Sequence, residues 1–466
     1  MPHEKPLRFV PLVLSFATFA PAQDARVALP RELGAEIDAV CQPLVDAGLL
    51  VGCVVGVACG DEHLVRGYGV RSAGGQEPSA TTLFEIGSVS KVFTGVLLAS
   101  AVVRGEVKLD DAAQTLMPDG VELPKRDDAP MLLWHLATHT SGLPRLPDME
   151  GADPADPYAH FAADRLFEAA SHAKLRRAPG TAYEYSNLGV GLLGAMLVRK
   201  AGAASFDALL RERITGPLAM ADTAVELDAA RRERFAAPFD ADGSPCRPWR
   251  LAALAGAGGI RSTVDDMLRF AVAQFASGDS ELDRAMGLAR EKRHEGKGGI
   301  ALGLGWHIAR DAETRWHNGE TGGFHAWIGV HRPSHVAVCM LANTARGEVD
   351  AVAESILRRA CGGPAPKPLA IEKPVAVGRA ALARLVGEYE MSPEAKFTIT
   401  LDERGLAARL TGQPSLRIHA RSSTEFFYRA VDAALVFELD GEVATAVVLH
   451  QNGQEIRCTR IVAATK

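Results

Sequence analysis

Ser88 and Lys91 stand three residues apart in the segment from Phe84 to Lys91 of this 466-residue chain. Residues at positions i and i+3 share one face of a helix, so the lysine amine reaches the serine hydroxyl if a helix begins here. An adjacent amine that takes the hydroxyl proton converts serine into a nucleophile. The spacing therefore predicts acyl-transfer chemistry at Ser88.

The residues that follow the pair predict the helix that this chemistry needs. Apolar side chains recur at helical spacing, at Val92, Val96, Ala99 and Val103. This periodicity predicts a stripe that packs against a core. Ser88 would then lie at the positive end of the helix dipole, where developing negative charge is stabilised.

The same pattern, a serine followed three residues later by a lysine (Ser-x-x-Lys), occurs a second time, from Ser171 to Lys174. It runs directly into Leu175-Arg176-Arg177, a pattern typical of an exposed polar segment. Short motifs match by chance often enough that context has to decide between two copies. The second copy is therefore predicted to have no catalytic role. The chain also lacks Gly-x-Ser-x-Gly and His-Glu-x-x-His, which argues against an α/β-hydrolase elbow and a zinc hydrolase.

A second motif, Tyr185-Ser186-Asn187, lies between a Pro179-Gly180 turn and the apolar run from Leu188 to Val198. The run predicts a helix, and we expect Tyr185 and Asn187 on the loop just before it. Loops held by a rigid scaffold are common positions for functional side chains.

A third motif is His317-Asn318-Gly319, followed by Glu320. The segments 326–331 and 335–343 predict adjacent strands of a sheet. An edge strand that carries a cationic residue and then glycines can present backbone N–H groups to a ligand. Lys297-Gly298-Gly299 is an alternative third motif, but it lies in a charged, glycine-rich stretch before a predicted strand at Gly303–Trp306. We therefore favour His317.

These three motifs, in this order, resemble those of the serine β-lactamase and penicillin-binding-protein superfamily. The Tyr-x-Asn motif is similar to that of class C β-lactamases and their relatives, which include D-alanyl-D-alanine carboxypeptidases, D-aminopeptidases and family VIII-type esterases. Segments 134–143 and 258–263 also resemble this family, and the resemblance covers roughly residues 35–360. It implies an α+β or α/β fold of the β-lactamase/transpeptidase type: an antiparallel sheet flanked by helices, plus an all-helical region.

The resemblance also implies a role for each catalytic residue. Ser88 would attack the carbonyl, and Lys91 would take or relay the serine proton. Tyr185 would complete the proton network and activate the water for deacylation. No metal and no organic cofactor is implied.

The same resemblance assigns the groups that would bind the substrate. Asn187 would hydrogen-bond a substrate amide, and His317 would hold the motif tyrosine or a substrate carboxylate. The oxyanion hole would consist of the backbone N–H groups of Ser88 and of Glu320, the residue after Gly319.

The histidine departs from the class C pattern, which has Lys-Thr-Gly as its third motif; His-x-Gly is what carboxypeptidase and esterase relatives tend to show. With an ordinary pKa near 6.5, His317 would favour carboxylate-bearing substrates below that pH. Three hypotheses stay open: hydrolysis of a β-lactam, which we place first; hydrolysis of a D-alanyl peptide or a small ester; and a non-catalytic penicillin-binding sensor or scaffold.

Composition restricts the class of protein further. The formal net charge of −6 argues against a nucleic-acid partner, and no apolar run is long enough to span a membrane. Lys5 and Arg8, the apolar segment 9–20 and the small residues around Ala22 predict a signal peptide over residues 1–22. We therefore expect a periplasmic or secreted protein with no transmembrane anchor.

The chain is predicted to divide at a linker. The Pro- and Gly-rich start of residues 362–375 separates a catalytic domain, residues 23–361, from a C-terminal domain, residues 376–466. The C-terminal segment alternates between apolar and polar residues and ends with a turn at Asn452-Gly453, which predicts a small antiparallel β-barrel or sandwich.

Seven cysteines would suggest disulfides in an exported protein. Cys53, Cys59 and Cys339, however, lie in apolar, strand-like runs, where cysteine behaves as a small hydrophobe. Cys53 and Cys59 would be about 20 Å apart along one strand, which is too far for a disulfide. We therefore expect buried free thiols.

Overall fold

A computed structural model describes residues 28–72, 74–159, 161–296, 299–413 and 415–461 of the chain. The expected signal peptide, residues 1–22, and Lys297 lie outside the described residues. Within the described ranges, no single helix has the length and apolar composition to cross a membrane, and one bent pair, Asn187–Ala201 with Phe206–Thr215, meets both criteria jointly.

An antiparallel sheet of eight strands forms the centre of the first part of the chain. Its strands are β1 Gly52–Cys59, β2 Glu62–Gly69, β5 His294–Glu295, β6 Ala301–Leu302, β7 His307–Ile308, β8 Thr314–Glu320, β9 His325–His331 and β10 Val336–Ala342. The spatial order is β2-β1-β10-β9-β8-β7-β6-β5. Two short strands, β3 Phe84–Glu85 and β4 Arg261–Ser262, pair separately.

The sequences of the central strands are continuous apolar runs because helices cover both faces of the sheet. All residues of β1, β9 and β10 are buried. Alternate β1 residues face opposite sides, so Cys53 and Val55 join one core cluster while Val54 and Ala58 join the other. Gly56 is required because a Cβ atom there would lie 2.3 Å from a methyl group of Val264.

Eleven helices surround the sheet or form the helical region beside it, and a twelfth, Arg379–Ala383, lies against the C-terminal part of the chain. They are α1 Leu33–Asp46, α2 Ser90–Val103, α3 Leu133–Ala137, α4 Ala163–Ser171, α5 Asn187–Ala201, α6 Phe206–Leu210, α7 Ala229–Arg232, α8 Ala255–Gly258, α9 Val264–Ala273, α10 Glu281–Arg290, α11 Glu348–Ala360 and α12 Arg379–Ala383 in the described ranges. Helices α1 and α11 pack on one face of the sheet, and α9 packs on the other.

Helix α2 is buried on all sides, from Ser90 to Ala101. The predicted apolar stripe is therefore too narrow a description of this helix. The reason is that α2 packs against α5, α8 and α10 at once. A helix surrounded by other elements has no solvent-facing side to keep polar.

The two strands predicted after the third motif are confirmed as β9 and β10, which pair along their full length. The strand predicted at Gly303–Trp306 is wrong. That segment turns between β6 and β7, and β7 is the strand that precedes and pairs with β8. Gly305 lies in this turn with φ near +75°, a conformation that favours glycine.

A closed antiparallel barrel forms the C-terminal part. Its strands, in order around the barrel, are β11 Gly387–Ser392, β12 Ala395–Asp402, β13 Gly405–Leu410, β14 Ser415–Ala420, β15 Glu425–Tyr428, β16 Ala433–Asp440, β17 Val443–Gln451 and β18 Gln454–Arg460. Pairing of β11 with β18 closes it, so the predicted small β domain is a barrel rather than a sandwich. The residues 363–378 before it have no regular secondary structure.

All seven cysteines are free thiols, as expected. Cys53 and Cys59 lie at opposite ends of β1, and Cys339 lies in β10 with its side chain fully buried. Burial raises the pKa of the Cys339 thiol, which keeps it protonated and unreactive.

Candidate active site

Ser88 lies in a short 3₁₀ turn, Gly87–Val89, that leads directly into α2. The turn depends on Gly87, whose φ is +49° and whose added Cβ would lie 2.7 Å from the backbone nitrogen of Glu320. Glycine is therefore needed for both backbone conformation and close approach. The predicted position of Ser88 at a helix start is confirmed.

Lys91 lies within hydrogen-bond distance of Ser88. Its Nζ atom is 2.8 Å from the Ser88 Oγ atom, and it donates a 2.6 Å hydrogen bond to the Ala257 carbonyl oxygen. The side chain is completely buried. Burial, assisted by the positive charge of Arg145, holds the pKa of Lys91 well below its usual range. A neutral amine in this position can accept the serine proton.

Tyr185 lies against the same pair. The Lys91 Nζ atom is 4.8 Å from the centre of the tyrosine ring. Burial raises the pKa of Tyr185 to about 12, although the neighbouring Ser88 hydroxyl and Arg145 oppose the rise. Burial lowers the pKa of the Lys91 amine and raises the pKa of the Tyr185 phenol. The amine is therefore suited to accept a proton and the phenol to donate one.

His139 and Arg145 hold the tyrosine ring. The His139 imidazole stacks on Tyr185 with ring centres 4.2 Å apart, and its Nδ1 atom accepts the backbone N–H of Ser186. The Arg145 guanidinium lies 5.1 Å from the centre of the tyrosine ring. The sequence analysis did not identify Arg145, because its only signal is its position shortly after the Thr138–Leu143 loop.

Asn187 is the first residue of α5 rather than a loop residue, so that part of the prediction is wrong. Ser186 caps the helix instead, since its hydroxyl accepts the backbone N–H of Gly189. The cap directs the Asn187 side chain into a cleft beside Ser88. Its Oδ1 atom is buried and has no hydrogen-bond partner among the described residues, so it is available to a substrate.

Strand β8 brings a second backbone N–H group to Ser88. A Cβ atom on Gly319 would lie 2.7 Å from the Ser88 nitrogen, so the strand and the 3₁₀ turn are in backbone contact. Thr321 N–H bonds to Phe324 across the β9 hairpin, which makes Glu320 a non-hydrogen-bonded position. Its N–H therefore points away from β9 and towards the turn. The backbone segments that carry the Ser88 and Glu320 N–H groups are thus in contact, which is compatible with the predicted oxyanion hole.

His317 lies on the same strand, β8, and its side chain is buried. Its side chain is 1% exposed and does not line the cleft. Its Nδ1 atom bonds to the Asn318 carbonyl, and its ring lies 4.8 Å from that of His307. Burial, followed by His307 and Lys91, holds the pKa of His317 well below its usual range. The expectation of a histidine that titrates near pH 6.5 and faces a substrate carboxylate is therefore wrong.

The cleft beside Ser88 is narrow, with a cavity volume of about 30 Å³, and is partly open to solvent. Two aromatic residues, Tyr158 and Trp249, form one wall, with ring centres 5.3 Å apart. No motif in the sequence marks these two side chains. Other lining residues are Leu251, Leu254, Ala257, Gly258 and Thr321. Most lining side chains are thus apolar, and the polar groups of the cleft include the Ser88 hydroxyl, the Asn187 amide and the Thr321 hydroxyl.

The chain belongs to the family whose model is described as Beta-lactamase, which matches residues 37–360. The carboxypeptidase/endopeptidase AmpH of Escherichia coli K12 is 33% identical over 281 residues, 57% of this chain and 71% of AmpH. A beta-lactamase of the same organism is 30% identical over 287 residues, 60% of this chain and 72% of the relative. The esterase EstB of Burkholderia gladioli is 30% identical over 372 residues, 67% of this chain and 91% of EstB.

Among solved structures, a β-lactamase/D-alanine carboxypeptidase from Yersinia pestis has a TM-score of 0.61 and 25% identity. The match covers 71% of this chain and 99% of that one. The expected superfamily and fold are therefore confirmed, and the barrel is an addition to the shared fold. The chain is a serine hydrolase, which sets the hypothesis of a non-catalytic sensor aside.

Proposed function

We propose that this serine hydrolase opens the amide bond of a small β-lactam through an acyl-enzyme on Ser88. The observation that carries the proposal is the group formed by Ser88, Tyr185 and the buried Lys91 at a cleft where strand β8 is in backbone contact with the Ser88 turn. Relatives with the names of a β-lactamase, a carboxypeptidase and an esterase support acyl transfer in general.

In acylation, the Ser88 Oγ atom attacks the carbonyl carbon while its proton passes to the neutral Lys91 amine. The N–H groups of Ser88 and Glu320 stabilise the oxyanion that forms. As the carbonyl C–N bond breaks, Tyr185 donates its proton to the leaving nitrogen, and the Lys91 ammonium restores the phenol. Asn187 holds the amide beside the scissile bond.

Deacylation uses the same groups in the opposite sense. A water molecule attacks the ester carbonyl and gives up its proton to the Lys91–Tyr185 pair. The C–O bond to Ser88 then breaks, and the serine oxygen recovers the proton. Each group ends the cycle in the protonation state in which it began.

The second candidate is the hydrolysis of a D-alanyl peptide or a small ester, and a specific observation favours the neutral ester. His317 occupies the position where the class C pattern has lysine, and it is buried in a neutral state. The third motif thus supplies no fixed charge for a substrate carboxylate, which neutral esters do not need.

We further propose that residues 1–22 direct export, so that the enzyme works in the periplasm or outside the cell. The domain organisation proposed with it is a catalytic domain at 23–361, a linker at 362–375 and the barrel domain at 376–466.

The test is a comparison of kcat/KM for nitrocefin, p-nitrophenyl butyrate and a D-Ala-D-Ala peptide, measured side by side on the purified protein. Intact-mass spectrometry with a slowly hydrolysed β-lactam should show one adduct, and peptide mapping should assign it to Ser88. Turnover of nitrocefin in preference to the others supports the first candidate. Absence of any adduct and of turnover on all three would refute both.

A further inference from the structure

Among the described residues, none that lines the cleft is lysine or arginine. Nearby arginines are already paired: Arg250 bonds to Asp156, and Arg261 bonds to Glu85. The neutral, buried His317 does not replace them. A substrate with a carboxylate near its scissile bond would therefore need a positive charge from elsewhere in the site.

In the part of the chain that the structure describes, Arg145 offers an unpaired cation beside Tyr185. Its guanidinium lies 5.1 Å from the centre of the Tyr185 ring, and it makes no hydrogen bond or ion pair with the rest of the described chain. The side chain is exposed. A guanidinium on an aromatic face keeps its N–H groups free for a planar anion.

The backbone of Arg145 is fixed even though its side chain is free. Its carbonyl oxygen accepts the N–H groups of Asn187 and Leu188, at 2.9 and 3.3 Å. The preceding Pro144 carbonyl accepts the Ser186 hydroxyl at 2.7 Å. The arginine therefore starts from the same helix end that places Asn187 in the cleft.

We propose that Arg145 binds a carboxylate of the acyl substrate, the task that the third-motif residue does not perform in this chain. This inference rests on the proposed function and adds a specificity-determining residue to it. The substrate class is a small amide or ester whose leaving group carries a carboxylate close to the scissile bond.

Electrostatics support the same placement. Arg145 lowers the pKa of Lys91, and it opposes the rise in the pKa of Tyr158, which lines the cleft. Its positive charge is therefore felt both at the proton-accepting amine and at the cleft wall. An anion bound between them would be attracted to it in a partly desolvated site.

The proposal can be tested with two thioesters that carry the same acyl group and differ only in the leaving thiol. One releases thioglycolate, which bears a carboxylate, and the other releases the neutral thioglycolamide. Thiol release gives kcat/KM for each. We expect Arg145→Gln to lower kcat/KM for the carboxylate thioester about tenfold or more beyond its effect on the amide thioester. Arg145→Lys should recover part of that selectivity, because charge is kept but the bidentate geometry is lost.

Arg165→Gln is the matched control, because Arg165 is also exposed and lies 5.6 Å from the centre of an aromatic ring, that of Phe161. It should leave the ratio between the two thioesters as in the wild type. Equal losses on both thioesters in Arg145→Gln would overturn the inference while the proposed function stands. If the wild type hydrolyses neither thioester and Ser88 is not acylated, the proposed function has failed and the inference fails with it.

Discussion

The two Ser-x-x-Lys segments of this chain have the same motif but opposite positions in their helices. Ser88 lies in the 3₁₀ turn that leads into α2, Lys91 lies in the first turn of α2, and the lysine Nζ atom is 2.8 Å from the serine Oγ atom. Ser171 is the last residue of α4, where its hydroxyl donates to the Glu168 carbonyl oxygen of its own helix at 2.8 Å. Lys174 follows beyond the helix end and is exposed.

The difference shows that direction and burial, rather than spacing, give the motif its chemistry. The i,i+3 relation places two side chains together only when the helix continues through both. At a helix start the dipole stabilises a developing alkoxide, whereas at a helix end it opposes one. Burial then lowers the pKa of Lys91, because the charged form loses its hydration.

The largest expected effect comes from removing each serine in turn. Ser88→Ala should lower kcat for every substrate by more than about 10³-fold, since the acyl-enzyme can no longer form. Ser171→Ala should retain wild-type kcat. Both variants should keep the wild-type melting temperature within a few degrees, measured by circular dichroism. Substantial turnover by Ser88→Ala would contradict the comparison, as would an acyl adduct on Ser171.

The next effect concerns the proton network around the first segment. Lys91→Met and Tyr185→Phe should each lower kcat by about 10²-fold or more, the usual contribution of general acid–base catalysis. The double variant should lose less than the product of the two, because both groups move one proton. Lys174→Met is the matched control and should have wild-type kcat. Full multiplicativity in the double variant would indicate independent roles.

Sequence patterns predicted those parts of the fold that depend on local order. The pairing of β9 with β10 followed from two apolar runs joined by a short turn, and a small antiparallel β domain, a barrel or a sandwich, followed from alternation along its strands. The Ser88–Lys91 contact followed from helical spacing alone. Each of these features is set by residues close together in the chain.

The features that the sequence analysis missed depend on distant contacts. Alternation along β8 places His317 and Gly319 on one face, but only packing against the Gly87–Val89 turn makes that face the buried one. Arg145 reaches Tyr185 from a loop 40 residues earlier in the chain. No periodicity within either segment carries this information.

A smaller effect is expected in the pH profile of Arg145→Gln on the neutral amide thioester. Neutral Lys91 is the active form, so kcat/KM rises with pH as this amine loses its proton. Arg145 helps to lower the pKa of Lys91, and removal of its charge lets that pKa rise. The acidic limb of the kcat/KM profile of Arg145→Gln should therefore move to higher pH. The acidic limb of the Arg165→Gln profile should stay where it is in the wild type. If the acidic limb of the Arg145→Gln profile does not move, Arg145 does not lower the pKa of the Lys91 amine.

The smallest effect is expected at His317. Because burial holds its pKa well below the usual range, His317 stays neutral between pH 6 and 8 and contributes no charge that varies there. The ratio of kcat/KM for the carboxylate thioester to that for the amide thioester should therefore change less than about twofold across this interval in the wild type. His317→Gln should give the same flat ratio, with exposed His172→Gln as its control. A ratio that rises towards pH 6 in the wild type and in His172→Gln, but not in His317→Gln, would mean that the imidazole binds the carboxylate after all. The preference of the Ser88 site for carboxylate-bearing substrates would then depend on His317 in the third motif rather than on Arg145 beside Tyr185.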